Sequence, residues 1–229
     1  VVRLEVLRRI AAKGRVEHRL DALTSEDLGE PRVRSRIGQV DALERATDEV
    51  QALGAQALPY RLDVSIAAQV EALAKAAVDR FGAPHVLFNN AGVACGGLIW
   101  EHSAQEWEWV MGVNLMGVAH GVRVFTPLML DAAKLDADGA YEGHIVNTAS
   151  MAGLLNPPNF GAYNVSKHAV VSLSETLYQD LALVTDQVSA SVLCPYFVPT
   201  GIHQSHRNRP SGLNAPGAKP TNSQRIAQA

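Results

Sequence analysis

From Asp41 onward, the sequence alternates between segments of helical periodicity and short segments that are apolar throughout. Helices are predicted over residues 42–53, 66–81, 103–130 and 162–184. The third helix includes a local irregularity around residues 112–117. Strands are predicted over residues 55–64, 85–89, 143–149 and 188–194. Apolar strands separated by helices build a parallel sheet covered on both faces, and right-handed crossovers then predict a doubly wound α/β fold.

The two ends of the chain depart from this alternation. The 229 residues suit one large α/β domain, but more than half of the arginines lie in residues 1–40. Within that segment, Leu4 to Ala12 is predicted as a helix that Gly14 ends. Residues 201–229 are rich in Pro, Gly, Asn and Ser, a composition typical of a loop or lid at the substrate side.

Composition and charge argue against several function classes. The formal net charge of −3 gives no general attraction to nucleic acid or to an anionic membrane, and acidic residues interrupt the Arg-rich start. No secretory leader and no apolar run of membrane-spanning length is recognised, which predicts a cytoplasmic protein without a membrane partner. His203 and His206 have the spacing of a helical metal pair, but no third ligand accompanies them, so no metal is predicted.

Tyr163 and Lys167 stand four residues apart near the start of a predicted helix, so both side chains project from one face. A phenol titrates near ~10, and an ammonium beside it would favour the phenolate. Lowering the phenol pKa by about two to three units needs roughly 3–4 kcal/mol of differential stabilisation, which a close charge in a dry cleft could supply. Alone, this spacing is more typical of an exposed helix face than of an active site.

Other polar residues fall at the ends of predicted strands. Ser150 follows the strand 143–149, at the edge where open α/β sheets bind ligands, and could hydrogen-bond a substrate oxygen while Tyr163 transfers the proton. The ordinary alternative is a loop or capping serine. The turn Asn89 to Gly92 ends another strand with small residues that let the backbone approach a ligand. Asn114 is a poor helix-interior residue and either faces solvent or is buried and hydrogen-bonded.

Together these residues resemble the short-chain dehydrogenase/reductase family, the Tyr-dependent oxidoreductases. Order and spacing agree from residue 41 to residue 200. The matching motifs are Asp63-Val64, Asn89 to Gly92, Asn114, Gly143 to Asn147 leading to Ser150, Tyr163 to Lys167, and Pro195 to Thr200. One departure is Tyr196, which stands where the family usually has glycine. The resemblance implies a Rossmann-type NAD(P)-binding domain over residues 1–229, with NAD or NADP as cofactor, an alcohol or ketone as substrate, and a homodimer or homotetramer.

The resemblance also implies a role for each matching residue. Tyr163 would be the general acid/base, and Ser150 would polarise and orient the substrate oxygen. Lys167 would lower the tyrosine pKa and hydrogen-bond the nicotinamide ribose. Asn114 would kink its helix and hold a water that links Lys167 to a proton relay. Hydride chemistry belongs to the cofactor, while the protein supplies geometry and proton transfer.

Further cofactor contacts follow from the same resemblance. Asp63 and Val64 would contact adenine, and Val198 with Thr200 would hold the carboxamide after Pro195. The cofactor cleft would be lined by Asn90, Ala91 and Gly92. A group of apolar residues after two of the strands predicts an apolar pocket wall and a moderately hydrophobic substrate. These residues are Met151, Leu154, Leu155, Pro157, Pro158, Phe160, Tyr196 and Phe197.

The departure that matters most concerns the family's first strand and its Thr-Gly-x-x-x-Gly-x-Gly turn, whose amides bind the cofactor pyrophosphate. Residues 1–40 contain Gly14, Gly29 and Gly38, at none of those spacings. Either the strand and turn precede residue 1, or the Arg-rich segment comes from an altered reading frame that returns to the family pattern near Asp41. Both readings stay open. The alternative function is therefore a catalytically silent fragment or pseudoenzyme of the same family.

This departure predicts that the chain as given binds NAD(P) far more weakly than an intact family member and turns over little. The two negative charges of the pyrophosphate must be desolvated on binding, and no amide donors at a helix N-terminus are identifiable in residues 1–40. Arg3, Arg8 and Arg9 are the candidates for direct phosphate contact. The test compares NADH and NADPH titrations of this chain and of one with the strand and glycine turn restored before Asp41. Equal affinity in both would contradict the prediction.

Overall fold

The computed structural model describes residues 4–7, 38–210 and Leu213, which belong to two compact units. One unit contains the described residues 38–61, and the other contains all the remaining described residues. A single domain over residues 1–229 stays a prediction.

The smaller unit consists of helix α1 (Gly38–Ala52) and the segment that follows it. Gly54 ends the helix as predicted, with a φ of 80° that glycine adopts at least cost. The strand predicted from residue 55 is wrong, because residues 55–61 have no regular structure. Pro59 interrupts this segment and cannot donate to a strand ladder, which disfavours a paired strand there.

A four-stranded sheet forms the centre of the larger unit, in the spatial order β1-β2-β3-β4. The strands are β1 (Leu4–Leu7), β2 (Val86–Asn89), β3 (Gly143–Thr148) and β4 (Val188–Leu193). Strands β2, β3 and β4 are parallel, which confirms the predicted pairing of these three segments. Because parallel strands end at the same edge, the residues that follow β2, β3 and β4 are brought together.

Strand β1 corrects two expectations. Over residues 4–7 a strand stands in place of the helix predicted for Leu4 to Ala12, whose remaining residues lie outside the described ones. The strand pairs antiparallel with β2, with Leu4 opposite Asn89 and Leu7 opposite Val86. The sheet is therefore mixed, with one antiparallel strand at its border. Strand pairing prevails over residues 4–7 because a helix as short as the one predicted is marginal by itself, whereas the free edge of β2 offers a row of backbone donors and acceptors.

The helices of the larger unit follow the predicted pattern closely. They are α2 (Ala67–Phe81), α3 (Ala104–Met111), α4 (Gly117–Leu135) and α5 (Gly161–Ala182). A π-helical segment, Gly112–Met116, joins α3 to α4, so the long helix predicted over residues 103–130 is confirmed together with its irregularity. A capping box begins this helix, in which the Ser103 hydroxyl accepts from the Glu106 amide and the Glu106 carboxylate accepts from the Ser103 amide.

The continuous helical stretch Ala104–Leu135 is long and apolar enough to cross a membrane by length and composition. This finding corrects the expectation that no apolar run approaches membrane-spanning length. In this fold the apolar side of the stretch packs into the core, since Phe125 and Met129 are completely buried. On its other side, Arg123 forms an exposed ion pair with Glu71 of α2, with 2.5 Å between Nη2 and Oε1.

Helices α4 and α5 pack against the sheet and enclose the main core. Leu87 of β2 and Ile145 of β3 are completely buried, as are Phe125 of α4 and Val170 of α5. Burying each such side chain contributes about 1.5–3 kcal/mol, so this layer holds the strand ends in fixed positions.

Gly121 of α4 packs directly against the Asn89 side chain of β2, and its replacement tests this packing. A Cβ at Gly121 would collide with the Asn89 side-chain amide, 2.9 Å from its Cγ. We expect Gly121→Ala to destabilise the protein by about 2 kcal/mol through overpacking, and to lower Tm by about 4–8 °C. Gly112→Ala is the matched control, because its Cβ would lie an ordinary 3.4 Å from Ser65 Cβ. Similar melting temperatures for the two variants would contradict the packing described here.

Candidate active site

The predicted site residues gather where β2, β3 and β4 end. Ser150 lies two residues beyond β3, and Pro195 lies two residues beyond β4. The Pro195 carbonyl accepts from the Met151 amide at 2.9 Å, so the segments that follow these two strands remain paired. The turn after β2 joins them through Thr148, whose hydroxyl donates to Asn90 Oδ1 at 3.0 Å.

Asn114 lies in the π-helical segment and is completely buried, so the solvent-facing alternative is wrong. Its Oδ1 accepts from the Val93 amide at 2.8 Å, and its Nδ2 donates to the Val93 carbonyl at 2.9 Å. The same Nδ2 donates to Ser166 Oγ at 2.9 Å. The side chain therefore connects the loop after β2 with α5. π-Helical segments inside α-helices are frequent at functional sites.

Lys167 is buried, with 3% of its surface exposed, and its Nζ donates to the Thr148 carbonyl at 2.8 Å. Burial lowers the pKa of Lys167 to about 8. Gly92 also lies beside the Lys167 ammonium. A Cβ at Gly92 would lie 3.6 Å from Lys167 Nζ and 3.7 Å from Asn114 Oδ1. A backbone without a side chain thus passes beside the buried ammonium.

Tyr163 and Ser150 lie close together, near enough for the Ser150 side chain to act on the phenol. The predicted lowering of the phenol pKa is wrong for this structure. Burial raises the pKa of Tyr163, and the Ser150 side chain only opposes that rise. The Lys167 ammonium lies 5.7 Å from the Tyr163 ring centroid but donates to the Thr148 carbonyl, so the desolvation of the phenol dominates.

Ser166 is a part of the site to which the sequence assigned no role. Its hydroxyl accepts from Asn114 Nδ2 and donates to the Tyr163 carbonyl at 2.7 Å, so it ties Asn114 to the first turn of α5. Its complete burial next to Lys167 follows from these bonds. The available signal was a serine inside a helix directly before the lysine, since helical serines commonly bond a carbonyl one turn back.

The two residues predicted to contact adenine are engaged locally. The Asp63 carboxylate accepts from the amide and the hydroxyl of Ser65, at 3.0 and 2.7 Å. Val64 is completely buried against α4, where a Cβ on Gly117 would come within 2.7 Å of Val64 Cγ2. These bonds and packing account for the positions of both side chains without a ligand, so adenine contact stays a prediction.

The segment after β4 carries the other predicted cofactor contacts. Val198 and Thr200 are exposed, and Thr200 begins a 3₁₀ helix, Gly201–Asn208, by accepting from the Ile202 amide at 3.4 Å. Tyr196 and Phe197 are more than four-fifths exposed, so they do not enclose a pocket in this structure.

Of the predicted apolar wall, Phe160 borders Tyr163, with 6.2 Å between the two ring centroids. Leu154 and Leu155 are more than half exposed. His203 Nδ1 contacts the Thr200 carbonyl, and among the residues that the structure describes no group of three His, Cys, Asp or Glu side chains could hold a metal ion. The candidate phosphate contacts Arg3, Arg8 and Arg9 lie outside the described residues.

Comparison with known proteins places this geometry in a family. A family model described as short chain dehydrogenase matches residues 32–211 of this chain. The chain is 33% identical over 194 residues to a CLA biosynthesis dehydrogenase/reductase of Lactiplantibacillus plantarum, covering 85% of this chain and 62% of the relative.

Two solved structures show the same relationship. A short-chain dehydrogenase/reductase from Burkholderia phymatum in complex with NAD is 56% identical with a TM-score of 0.77, covering 82% of this chain and 64% of that chain. An alcohol dehydrogenase from the archaeon Thermococcus sibiricus, complexed with 5-hydroxy-NADP, is 28% identical with a TM-score of 0.61, covering 71% of this chain and 64% of that chain.

These matches confirm the Rossmann-type α/β class predicted from the alternating pattern. The chain belongs to the short-chain dehydrogenase family. It spans less than two thirds of the length of the curated relatives that it matches.

The buried ammonium predicts a pH-dependent stability. The pKa of Lys167 is about 8 in the folded protein, below its ordinary value of 10.5, so folding disfavours the charged form. The folded state therefore gains stability as pH rises from about 8 to about 10.5, and carries the full penalty below 8. We expect Lys167→Met to raise the free energy of unfolding at pH 7 by about 3 kcal/mol more than at pH 10.5.

Urea unfolding at the two pH values measures this difference. Lys75→Met is the matched control, because Lys75 is exposed on α2 and pairs with Asp79. The control should shift stability by less than about 1 kcal/mol at either pH. A Lys167→Met effect that is equal at pH 7 and pH 10.5 would show that the ammonium is not destabilised by burial.

Proposed function

We propose that this chain carries the catalytic half of an NAD(P)-dependent alcohol dehydrogenase or ketone reductase. The observation that carries the proposal is the juxtaposition of three side chains at the strand ends. The Ser150 side chain lies close enough to Tyr163 to oppose the rise of its pKa, and the Lys167 ammonium lies 5.7 Å from the Tyr163 ring centroid. A hydrogen-bond donor, a proton carrier and a cation in one place suit the interconversion of an alcohol and a carbonyl.

The residues present fit the nicotinamide end of the cofactor. Asn90 is exposed beside the small residues Ala91 and Gly92, and the missing side chain at Gly92 leaves room next to Lys167 Nζ. An ammonium has three donors, and the Thr148 carbonyl uses one of them, so others can serve a ribose hydroxyl. Val198 and Thr200 would hold the carboxamide. When bound, the nicotinamide supplies or accepts the hydride.

The chain's own part in the reaction is proton transfer and orientation. Because burial raises the pKa of Tyr163, its phenol is protonated near neutral pH and can donate a proton to a developing alkoxide. The Ser150 hydroxyl orients the same substrate oxygen. In the direction of alcohol oxidation, Tyr163 must accept the proton, and the nearby Lys167 ammonium stabilises the resulting phenolate.

Asn114 supports this chemistry through its position. Its amide is occupied by Val93 and Ser166, so it fixes the loop after β2 relative to α5. The predicted water between Asn114 and Lys167 stays a proposal. It is compatible with the approach of both side chains to Gly92.

The substrate class follows from the apolar residues around the site. Phe160 borders Tyr163, and Met151 follows Ser150 directly, which favours a moderately hydrophobic alcohol or ketone. Assembly into a homodimer or homotetramer through the long helices, and a cytoplasmic location, stay predictions. The second candidate is a catalytically silent family member, favoured by the glycine spacing of residues 1–40.

Tyr163→Phe tests the proposed proton transfer. Removing the hydroxyl should reduce NADH-dependent ketone reduction by at least about 100-fold, the usual contribution of a positioned general acid, while the fold is retained. The measurement uses a series of apolar ketones, in this chain or in the form with the glycine turn restored, whichever is active.

Tyr178→Phe is the control on the same helix, since Tyr178 is more than half exposed and distant in sequence from the motif. It should retain wild-type turnover. Full activity in Tyr163→Phe would exclude the proposed mechanism. Absence of turnover in both forms of the wild-type chain would favour the silent family member.

A further inference from the structure

Two consecutive residues of the loop after β2 are each held by a side chain from a distant segment. Val93 exchanges two hydrogen bonds with the Asn114 amide, through its N–H and its carbonyl. Ala94 does the same with Ser205, whose Oγ accepts from the Ala94 amide at 2.9 Å and donates to the Ala94 carbonyl at 3.0 Å. Each side chain thus satisfies one residue of the loop as a paired strand would.

Ser205 belongs to the 3₁₀ helix Gly201–Asn208, in the segment that follows β4. Only 3% of its surface is exposed, although most of its neighbours in this helix are exposed. Serine is seldom this buried, and here both its donor and its acceptor capacity are used by Ala94. The burial of Ser205 is therefore explained by the loop after β2 and not by the helix that carries it.

Arg209 provides a second attachment at the end of the same helix. Its guanidinium carbon lies 5.6 Å from the Trp109 ring centroid, and Nη1 lies 3.8 Å from Glu106 Oε1. Both charged side chains are mostly buried, at 17% and 12% exposure. Burial acts to raise the pKa of Glu106, but hydrogen bonds from His102 and Ser103 outweigh this effect and lower the pKa to about 2. The carboxylate therefore remains charged. The contact joins the segment to α3.

We propose that Ser205 and Arg209 are positioning residues that fix residues 196–204 beside the cleft. Through Ala94 and Val93 they couple that span to Asn114 and hence to α5. The part of this inference that concerns the cofactor rests on the proposed function. The span is fixed at its start by the Pro195 carbonyl and at its end by Ser205, and it carries Val198 and Thr200.

Because residues 196–204 are largely exposed, the attachments at the two ends of this span determine how easily it opens. Tyr196, Phe197 and Val198 are all more than half exposed, so the span has little buried surface of its own. A segment with few buried contacts opens at low free energy unless its ends are held. Releasing Ser205 should therefore loosen residues 196–204 and, through the shared loop, Val93.

The experiment compares the full chain with Ser205→Ala and with Arg209→Gln. The control Ser172→Ala is the same chemical change at an exposed position of α5. Amide hydrogen exchange without cofactor is followed by NMR. NADH affinity is followed by nicotinamide fluorescence well below Tm, in this chain or in the form with the glycine turn restored, whichever binds NADH. We expect Ser205→Ala to accelerate exchange at Val93, Ala94 and the amides within residues 196–204 by about tenfold, and to raise the Kd for NADH by about tenfold.

The second variant separates positioning from general loss of structure. Arg209→Gln should accelerate exchange in the same residues, and the double variant should show less than the sum of the two effects, because both attachments hold one segment. Ser172→Ala should change neither readout. A merely structural role would lower Tm without raising the Kd for NADH at the lower temperature.

The outcomes distinguish the two proposals. If neither the wild-type chain nor the form with the glycine turn restored binds NADH, but Ser205→Ala still loosens both Val93 and residues 196–204, the coupling stands and the proposed function fails. If the wild type binds NADH and Ser205→Ala has unchanged exchange and affinity, the positioning role is overturned and the proposed function stands. Accelerated exchange confined to Ala94 also overturns the coupling.

Discussion

The site depends on keeping one ammonium group out of water. Lys167 is buried at the first turns of α5 with the Thr148 carbonyl as its hydrogen-bond acceptor, and burial lowers its pKa to about 8. Burying a cation costs free energy, so the surrounding structure must hold it in place. The apolar core between the sheet and helices α4 and α5 supplies that stabilisation. The folded state thus retains a destabilised cation 5.7 Å from the Tyr163 ring centroid.

Near this ammonium, the loop after β2 has no neighbouring strand among the described residues to satisfy its backbone. Side chains make those hydrogen bonds instead. Asn114 holds Val93, Ser205 holds Ala94, and Ser166 connects Asn114 to the carbonyl of Tyr163. Fully satisfied buried networks of this kind are rigid, and each member fixes the next. The π-helical segment that carries Asn114 departs from regular α-helical geometry at the point where this connection is made. A few polar side chains therefore hold the loops that follow the strand ends.

The sequence predicted what local patterns determine. The three parallel strands, the long helix with its irregularity, and the meeting of Ser150 with Tyr163 all followed from apolar runs, spacing and family motifs. It did not predict strand β1, because Leu4–Leu7 forms a strand only through a partner more than 70 residues away. The raised pKa of Tyr163 was also inaccessible, since burial of the phenol depends on tertiary packing. Ser205 was missed because its partner, Ala94, lies 111 residues earlier.

The antiparallel direction of β1 also determines which end of this strand lies near the site. Leu4, its first residue, stands opposite Asn89, whereas Leu7, its last, stands opposite Val86. The site lies beyond the carboxyl end of β2. The first residue of β1 is therefore beside the site, and its last residue is beside the amino end of β2. In a parallel first strand this polarity is reversed, and the turn that follows the strand opens directly onto the cleft. Leu7, the last residue of β1, therefore lies beside the amino end of β2, away from Tyr163.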